Sequence, residues 1–198
     1  MRKKSHILLG RYLADQMSEV YSLQQHRKAF CLGNIMPDLK PSFLTTRHEF
    51  FGTFNQLQSN MRELVERSPE EENARVYWRR FGEVMHYMAD YFTFPHNRTY
   101  KGSLAEHNSY EAELKNRLKE CILSGRADNQ LEEAKHFDSF EELIEYIRER
   151  HTCYLESPRC IADDIRFILR VCYQVVQGIF QLCMRRQFHM EEQPLMVG

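Results

Sequence analysis

Apolar residues recur along this chain at intervals of three and four, and that spacing commits it to helices. From Arg47 to about Ser68 they fall at Phe50, Phe54, Leu57, Met61, Leu64 and Val65, which is one stripe of a helix. Residues 5–24 repeat the pattern with Ile7, Leu8, Tyr12, Leu13, Met17, Val20 and Tyr21, and Ser5 stands where an N-cap would. No segment alternates strictly between apolar and polar residues as a half-buried strand does. The expected fold is therefore all-α.

Punctuation divides the pattern into elements. A short helix from about residue 26 should end at Gly33-Asn34, and the two prolines of NIMPDLKPSFLTT imply an irregular loop. Ser68 followed by Pro69 and acidic residues reads as the start of a helix running toward Pro95. Ser103 should cap a helix that Gly125 stops. Asp138 or Ser139, followed by Glu141 and Glu142, should open another, reaching about Leu155. Pro158 breaks the chain before a last helix over about 160–186. The sum is a compact bundle of six or seven helices in a single domain, 1–198, with residues 188–198 as a flexible tail.

A formal charge of −1 excludes bulk attraction to nucleic acid or to an anionic membrane, so partners must be recognised by local sites. The opening MRKKSHILLG has an apolar run too short for an export signal, and the most apolar stretch is interrupted by Arg170, Gln174 and Gln177. These features imply a cytoplasmic protein without a transmembrane segment. Its six cysteines, none in a C-x-x-C pair, are then expected to be reduced, mainly as small core residues such as Cys172 and Cys183.

The histidines are the exception to an otherwise ordinary composition. Of nine, three lie in residues 86–111 together with two carboxylates in helical register: His86 with Asp90, and His107 with Glu111, with His96 between them after Pro95. Residues four apart share a helix face, so each pair can reach one point. A single such pair is ordinarily a solvated surface contact worth about 0.3 kcal/mol. Two in tandem, joined by a short loop that carries a third imidazole, point instead to a metal. His26, His136, His151 (in the charged run RERH) and His189 lack such company and read as ordinary helix, loop and tail residues.

Three further stretches complete a series: SHILLG with His6, GNIMPD with Asp38 and RHEFF with His48. A histidine in the first helix, a G-x-x-x-P-D loop, a lone histidine, then H-x3-D-x5-H and H-x3-E resemble the zinc-dependent phospholipase C family, whose fold is shared with single-strand-specific zinc nucleases. The resemblance covers residues 5–111 by motif. It implies that Asp38, His48, His86 and Asp90 bind one zinc, that His96, His107 and Glu111 bind a second, and that Asp90 bridges the first to a third held partly by His6. It departs from the family at two places. An N-terminal Trp completes the third site in secreted members, where this chain reads Met1-Arg2-Lys3-Lys4; and Leu39 stands where choline-binding members carry a Tyr. Two or three zinc ions are thus expected.

Imidazole and carboxylate ligands without thiolates are the make-up of catalytic rather than structural zinc. The implied activity is phosphodiester hydrolysis of the phospholipase C type. Metal-bound hydroxide would be the nucleophile, and Asp38 both a ligand and the general base. The alternatives are a zinc nuclease acting on single-stranded nucleic acid, disfavoured because Arg47, Arg79, Arg80 and Arg98 form no dense run, and a non-catalytic helical protein that binds metal or lipid head groups. A di-iron carboxylate bundle is a fourth reading, since E-x-x-H occurs at Glu83/His86 and Glu133/His136.

Overall fold

The computed structural model describes residues 1–39, 49–158 and 160–191. Among the described residues there are seven α-helices: α1 (Lys3–Gln16), α2 (Tyr21–Gly33), α3 (Phe50–Glu66), α4 (Ala74–Tyr91), α5 (Leu104–Leu123), α6 (Phe140–Glu156) and α7 (Ile161–Glu191). Short 3-10 turns at Pro37–Leu39, Phe94–His96 and Asp128–Gln130 link them, and no strand occurs among the described residues. Helix α4 is the spine. Its face from Tyr77 and Trp78 to Ala89 and Tyr91 is buried, and α1, α2, α3 and α7 pack around it.

Two glycines set the closest of these crossings. A Cβ on Gly33 of α2 would lie 1.9 Å from the Arg79 carbonyl oxygen, and one on Gly82 of α4 would lie 2.1 Å from the Phe30 carbonyl oxygen. Only hydrogen at both Cα positions lets the backbones touch. The contact brings the residue after Gly33 against the middle of α4.

Several helix ends follow their local chemistry. Ser103 and Glu106 form a reciprocal capping box on α5, Ser139 caps α6, and Gly125 takes φ +73° just past α5. Others do not. The apolar stripe of residues 5–24 is two helices, because the chain turns a corner at Met17–Val20 while the periodicity carries on across it. Gln24 stabilises the corner by donating to the Ala14 and Met17 carbonyls at 2.8 and 3.1 Å. The boundary expected near residue 26 survives only as a kink inside α2 at His26 (φ −108°, ψ 18°). Ser5 is not a cap: α1 begins at Lys3, and Ser5 is buried within its first turn. Ser68 bonds reciprocally with Glu71 in a separate turn, and Asn73 caps α4 instead. Where a tail is expected from residue 188, α7 continues through Glu191; residues 192–198 lie outside the described ones.

Helix α7 is long and apolar enough, by length and composition, to cross a membrane. Its apolar residues are committed elsewhere: Ile168, Leu169, Cys172, Val175, Val176 and Ile179 belong to the same buried cluster as Leu13, Phe30, Phe54 and Trp78. The cysteines divide. Cys172 and Cys183 are buried as expected, whereas Cys153 and Cys160 are exposed, and all six are free thiols. His151 also departs from its sequence setting. It is 2% exposed, stacked on Phe50 at 3.9 Å, with Nε2 3.3 Å from Asn97 Oδ1. The charged neighbours that suggested a surface position lie on the outer side of α6.

Candidate metal centre

Helix α4 delivers His86 and Asp90 from its buried face, one turn apart. Helix α1 brings His6 over them, with the two imidazoles stacked at 3.9 Å. The turn after α2 brings Asp38, whose Oδ1 lies 3.6 Å from His86 Nε2. The turn at Phe94–His96 and the first turns of α5 supply His96, His107 and Glu111; both imidazole Nε2 atoms lie 3.1 Å from Glu111 Oε1. Seven of the eight residues singled out in the sequence thus surround one cleft. The eighth, His48, lies outside the described residues.

They form two groups. His6, Asp38 and His86 can each point a ligand atom at a common centre, as can His96, His107 and Glu111, with ligand atoms in each group within 4.8 Å of one another. Asp90 stands between the groups. Its Oδ1 is 3.3 Å from His6 Nε2, and its Oδ2 is 3.3 Å from His86 Nε2 and 3.8 Å from His96 Nδ1. The first group differs from the expected set of Asp38, His48, His86 and Asp90: His6 joins it, Asp90 stands beside it, and His48 lies outside the described residues. Stacking on His86 places His6 beside Asp38 as well as beside Asp90.

The amino group of Met1 occupies the gap between the groups, 2.5 Å from Asp90 Oδ1, 2.9 Å from His96 Nε2 and 3.2 Å from Glu111 Oε1. Burial would lower its pKa, but the charges of Asp90, Glu111 and Asp38 outweigh that and raise it. A cation therefore sits where three acidic side chains converge.

The surroundings prepare these side chains as ligands. His86 Nδ1 is 2.8 Å from the carbonyl oxygen of Asn34, the residue that the Gly33–Gly82 contact brings in. A carbonyl can only accept, so Nδ1 carries the hydrogen, which leaves Nε2 as the atom to face a metal beside Asp38 and Asp90. His6 is fully buried, and neither ring nitrogen makes a well-formed hydrogen bond. Burial, and then the neighbouring His86, push its pKa down to about 3, so it is a neutral electron-pair donor. Burial also lowers His96. For Asp90 burial acts in the opposite sense, but His96, the Met1 amine, His6 and His86 together hold it well below the usual carboxylate range. A buried imidazole short of hydrogen bonds, His6, beside buried carboxylates fits zinc, and the all-nitrogen-and-oxygen donor set fits catalytic zinc.

A cavity of about 870 Å³ opens onto Asp38, His96, His107 and Glu111. The di-iron alternative finds no support among the described residues: His136 is exposed and pairs with Asp138 at 3.3 Å, far in sequence and setting from His86. Sequence reading missed the Asn34 carbonyl and the Met1 amine. The first had a signal in the G-x-x-x-P-D loop, whose glycine abuts α4; the second had one in the resemblance, which places an N-terminal residue at the site held partly by His6.

Residues 5–161 match the family described as zinc dependent phospholipase C. No match was found among curated proteins or among solved structures. The matched span contains all seven placed residues of the cleft and extends through α6 to the start of α7. By this match over most of its length, the chain belongs to the zinc-dependent phospholipase C family.

Proposed function

We propose that this protein is a zinc-dependent phosphodiester hydrolase of the phospholipase C type with a multinuclear zinc site. The observation that carries this reading is Asp90, one buried carboxylate 3.3 Å from both His6 and His86 of the first group and 3.8 Å from His96 of the second. His6, Asp38 and His86 would hold one ion and His96, His107 and Glu111 another, with His48 a further candidate. Zinc bound there would lower the pKa of a water to about 7, supply hydroxide for attack on phosphorus, and offset charge on the phosphoryl oxygens.

The protein's own groups supply the rest. Asp38 is the member of the first group that lines the cavity, so it can accept a proton from a water there as well as serve as a ligand. Asp90 and the Asn34 carbonyl orient the imidazoles, and the low pKa of His6 keeps it a donor at neutral pH. No serine, cysteine or lysine nucleophile is required.

The test is turnover of bis-p-nitrophenyl phosphate by zinc-loaded protein, with and without chelator. Hydrolysis that chelation abolishes and zinc restores is the expected result. Activity that survives exhaustive chelation overturns the proposal, as does a zinc-loaded protein inert to every phosphodiester tried, single-stranded DNA included.

A further inference from the structure

The cavity mouth is strongly basic in a protein of formal charge −1. Arg2, Lys3, Lys4 and Lys115 line it, and the first three are solvent-exposed. The acidic groups nearby are already engaged. Glu49 pairs with Arg98 at 3.3 Å, Glu106 is bound by Ser103, and Asp38 and Glu111 belong to the metal centre. The cations are thus a local surplus, and among the described arginines considered in the sequence, Arg79, Arg80 and Arg98, only Arg98 lines this face; Arg47 lies outside the described residues.

Exposed apolar side chains surround the same mouth. Leu104 lines the cavity and is 76% exposed; Leu39 follows Asp38 and is 51% exposed; Phe51, 63% exposed, lies under the Arg98 guanidinium at 5.2 Å. Protruding apolar groups among lysines and arginines match a bilayer surface, into which the former insert while the latter meet phosphates. Single-stranded nucleic acid would need a free aromatic platform instead. Tyr100 is the aromatic that lines the cavity, but its ring packs edge-on against Phe94 at 5.2 Å and its hydroxyl is buried. Phe51 has its face covered by Arg98.

We infer that the face around the cavity mouth docks on an anionic phospholipid surface, with Lys3, Lys4, Arg2 and Lys115 as the charge contacts and Leu104 as an inserting side chain. This rests on the phospholipase C reading and narrows it: the lipids presented to the centre are anionic rather than choline-bearing. A choline cation at this mouth would meet like charge.

The test is co-sedimentation of the full chain, on ice, with vesicles of phosphatidylcholine alone or mixed with phosphatidylglycerol. Binding should be at least about tenfold tighter to the mixed vesicles and should fall when salt is raised to about 0.5 M. The double substitution Lys3→Glu/Lys4→Glu should remove at least about tenfold of that affinity. Leu104→Ser should weaken binding without changing the melting temperature, since the side chain is exposed. Equal affinity for both vesicles, or unchanged binding by both variants, overturns the inference. So does tighter binding of single-stranded DNA than of mixed vesicles, lost in the same lysine variant. Loss of vesicle preference with retained hydrolysis of bis-p-nitrophenyl phosphate would overturn the docking face alone; retained preference without any hydrolysis would overturn the enzyme reading alone.

Discussion

Asp164 Oδ2 accepts a hydrogen bond from the backbone N–H of Phe94 at 2.9 Å, tying the first turn of α7 to the turn that carries His96. The same oxygen accepts from the Tyr110 hydroxyl at 2.9 Å, and Oδ1 accepts from Tyr154 at 2.7 Å. Tyr110 precedes Glu111 on α5. One buried carboxylate therefore fixes both segments that bear the His96, His107 and Glu111 group. Asp164→Ala leaves three donors without this acceptor and should cost about 3 kcal/mol in urea unfolding. It should also weaken zinc at that group, measured by chelator competition, while Asp164→Asn, which keeps one acceptor oxygen, loses less.

Asp90 is the junction of the two groups, so its replacement tests the multinuclear arrangement directly. Asp90→Asn should reduce bound zinc, by metal analysis, and lower phosphodiester turnover at least about a hundredfold. A variant that keeps full metal content and full turnover would remove the case for a shared centre.

The contact between Gly33 and Gly82 makes a steric prediction. A methyl group at residue 82 would collide with the Phe30 carbonyl, so Gly82→Ala should destabilise by about 3 kcal/mol and separate α2 from α4. Because the Asn34 carbonyl moves with α2, zinc affinity should fall with stability. Gly52→Ala is the control, since a Cβ there meets nothing closer than 3.4 Å, from the Glu49 side chain.

His151 gives a pH dependence with a defined sign. Burial lowers its pKa to about 4 in the folded protein, whereas an unfolded histidine titrates near 6.5. Its neutral form is the folded one, so this contribution to stability is complete above about pH 6.5 and is lost as pH falls toward 4. Unfolding free energies of the parent and of His151→Phe, compared from pH 7 to 4, should converge or cross by about 3 kcal/mol as the parent alone pays for protonation. Parallel curves would show that His151 titrates normally.

The parts of the centre visible in the sequence are those encoded by local spacing. His86 with Asp90 and His107 with Glu111 announce themselves because one helical turn separates them. His96 shows itself as the loop imidazole between these pairs, whereas His6 and Asp38 follow only from the family resemblance; all three stand in the cleft with them. Contacts between distant segments left no comparable trace. The Asn34 carbonyl is a backbone atom common to every residue type, and Asp164 meets Phe94 across 70 positions. His151 was misplaced because charged neighbours describe the outer face of α6, while its own side chain turns inward to Phe50. The corner between α1 and α2 was hidden by an apolar period that ran through it, with Gln24 supplying the break from the far side.

Asp164 also has a consequence for the order in which the centre can mature. Every placed ligand lies between residues 6 and 111, yet the carboxylate that steadies three of them arrives fifty residues later, at the head of the final helix. A nascent chain that has emerged only through α5 holds all of these donors without the clasp that sets their spacing. Tight capture of zinc should therefore wait for α7 to dock, so that metal uptake reports the arrival of a helix that bears none of the placed candidates.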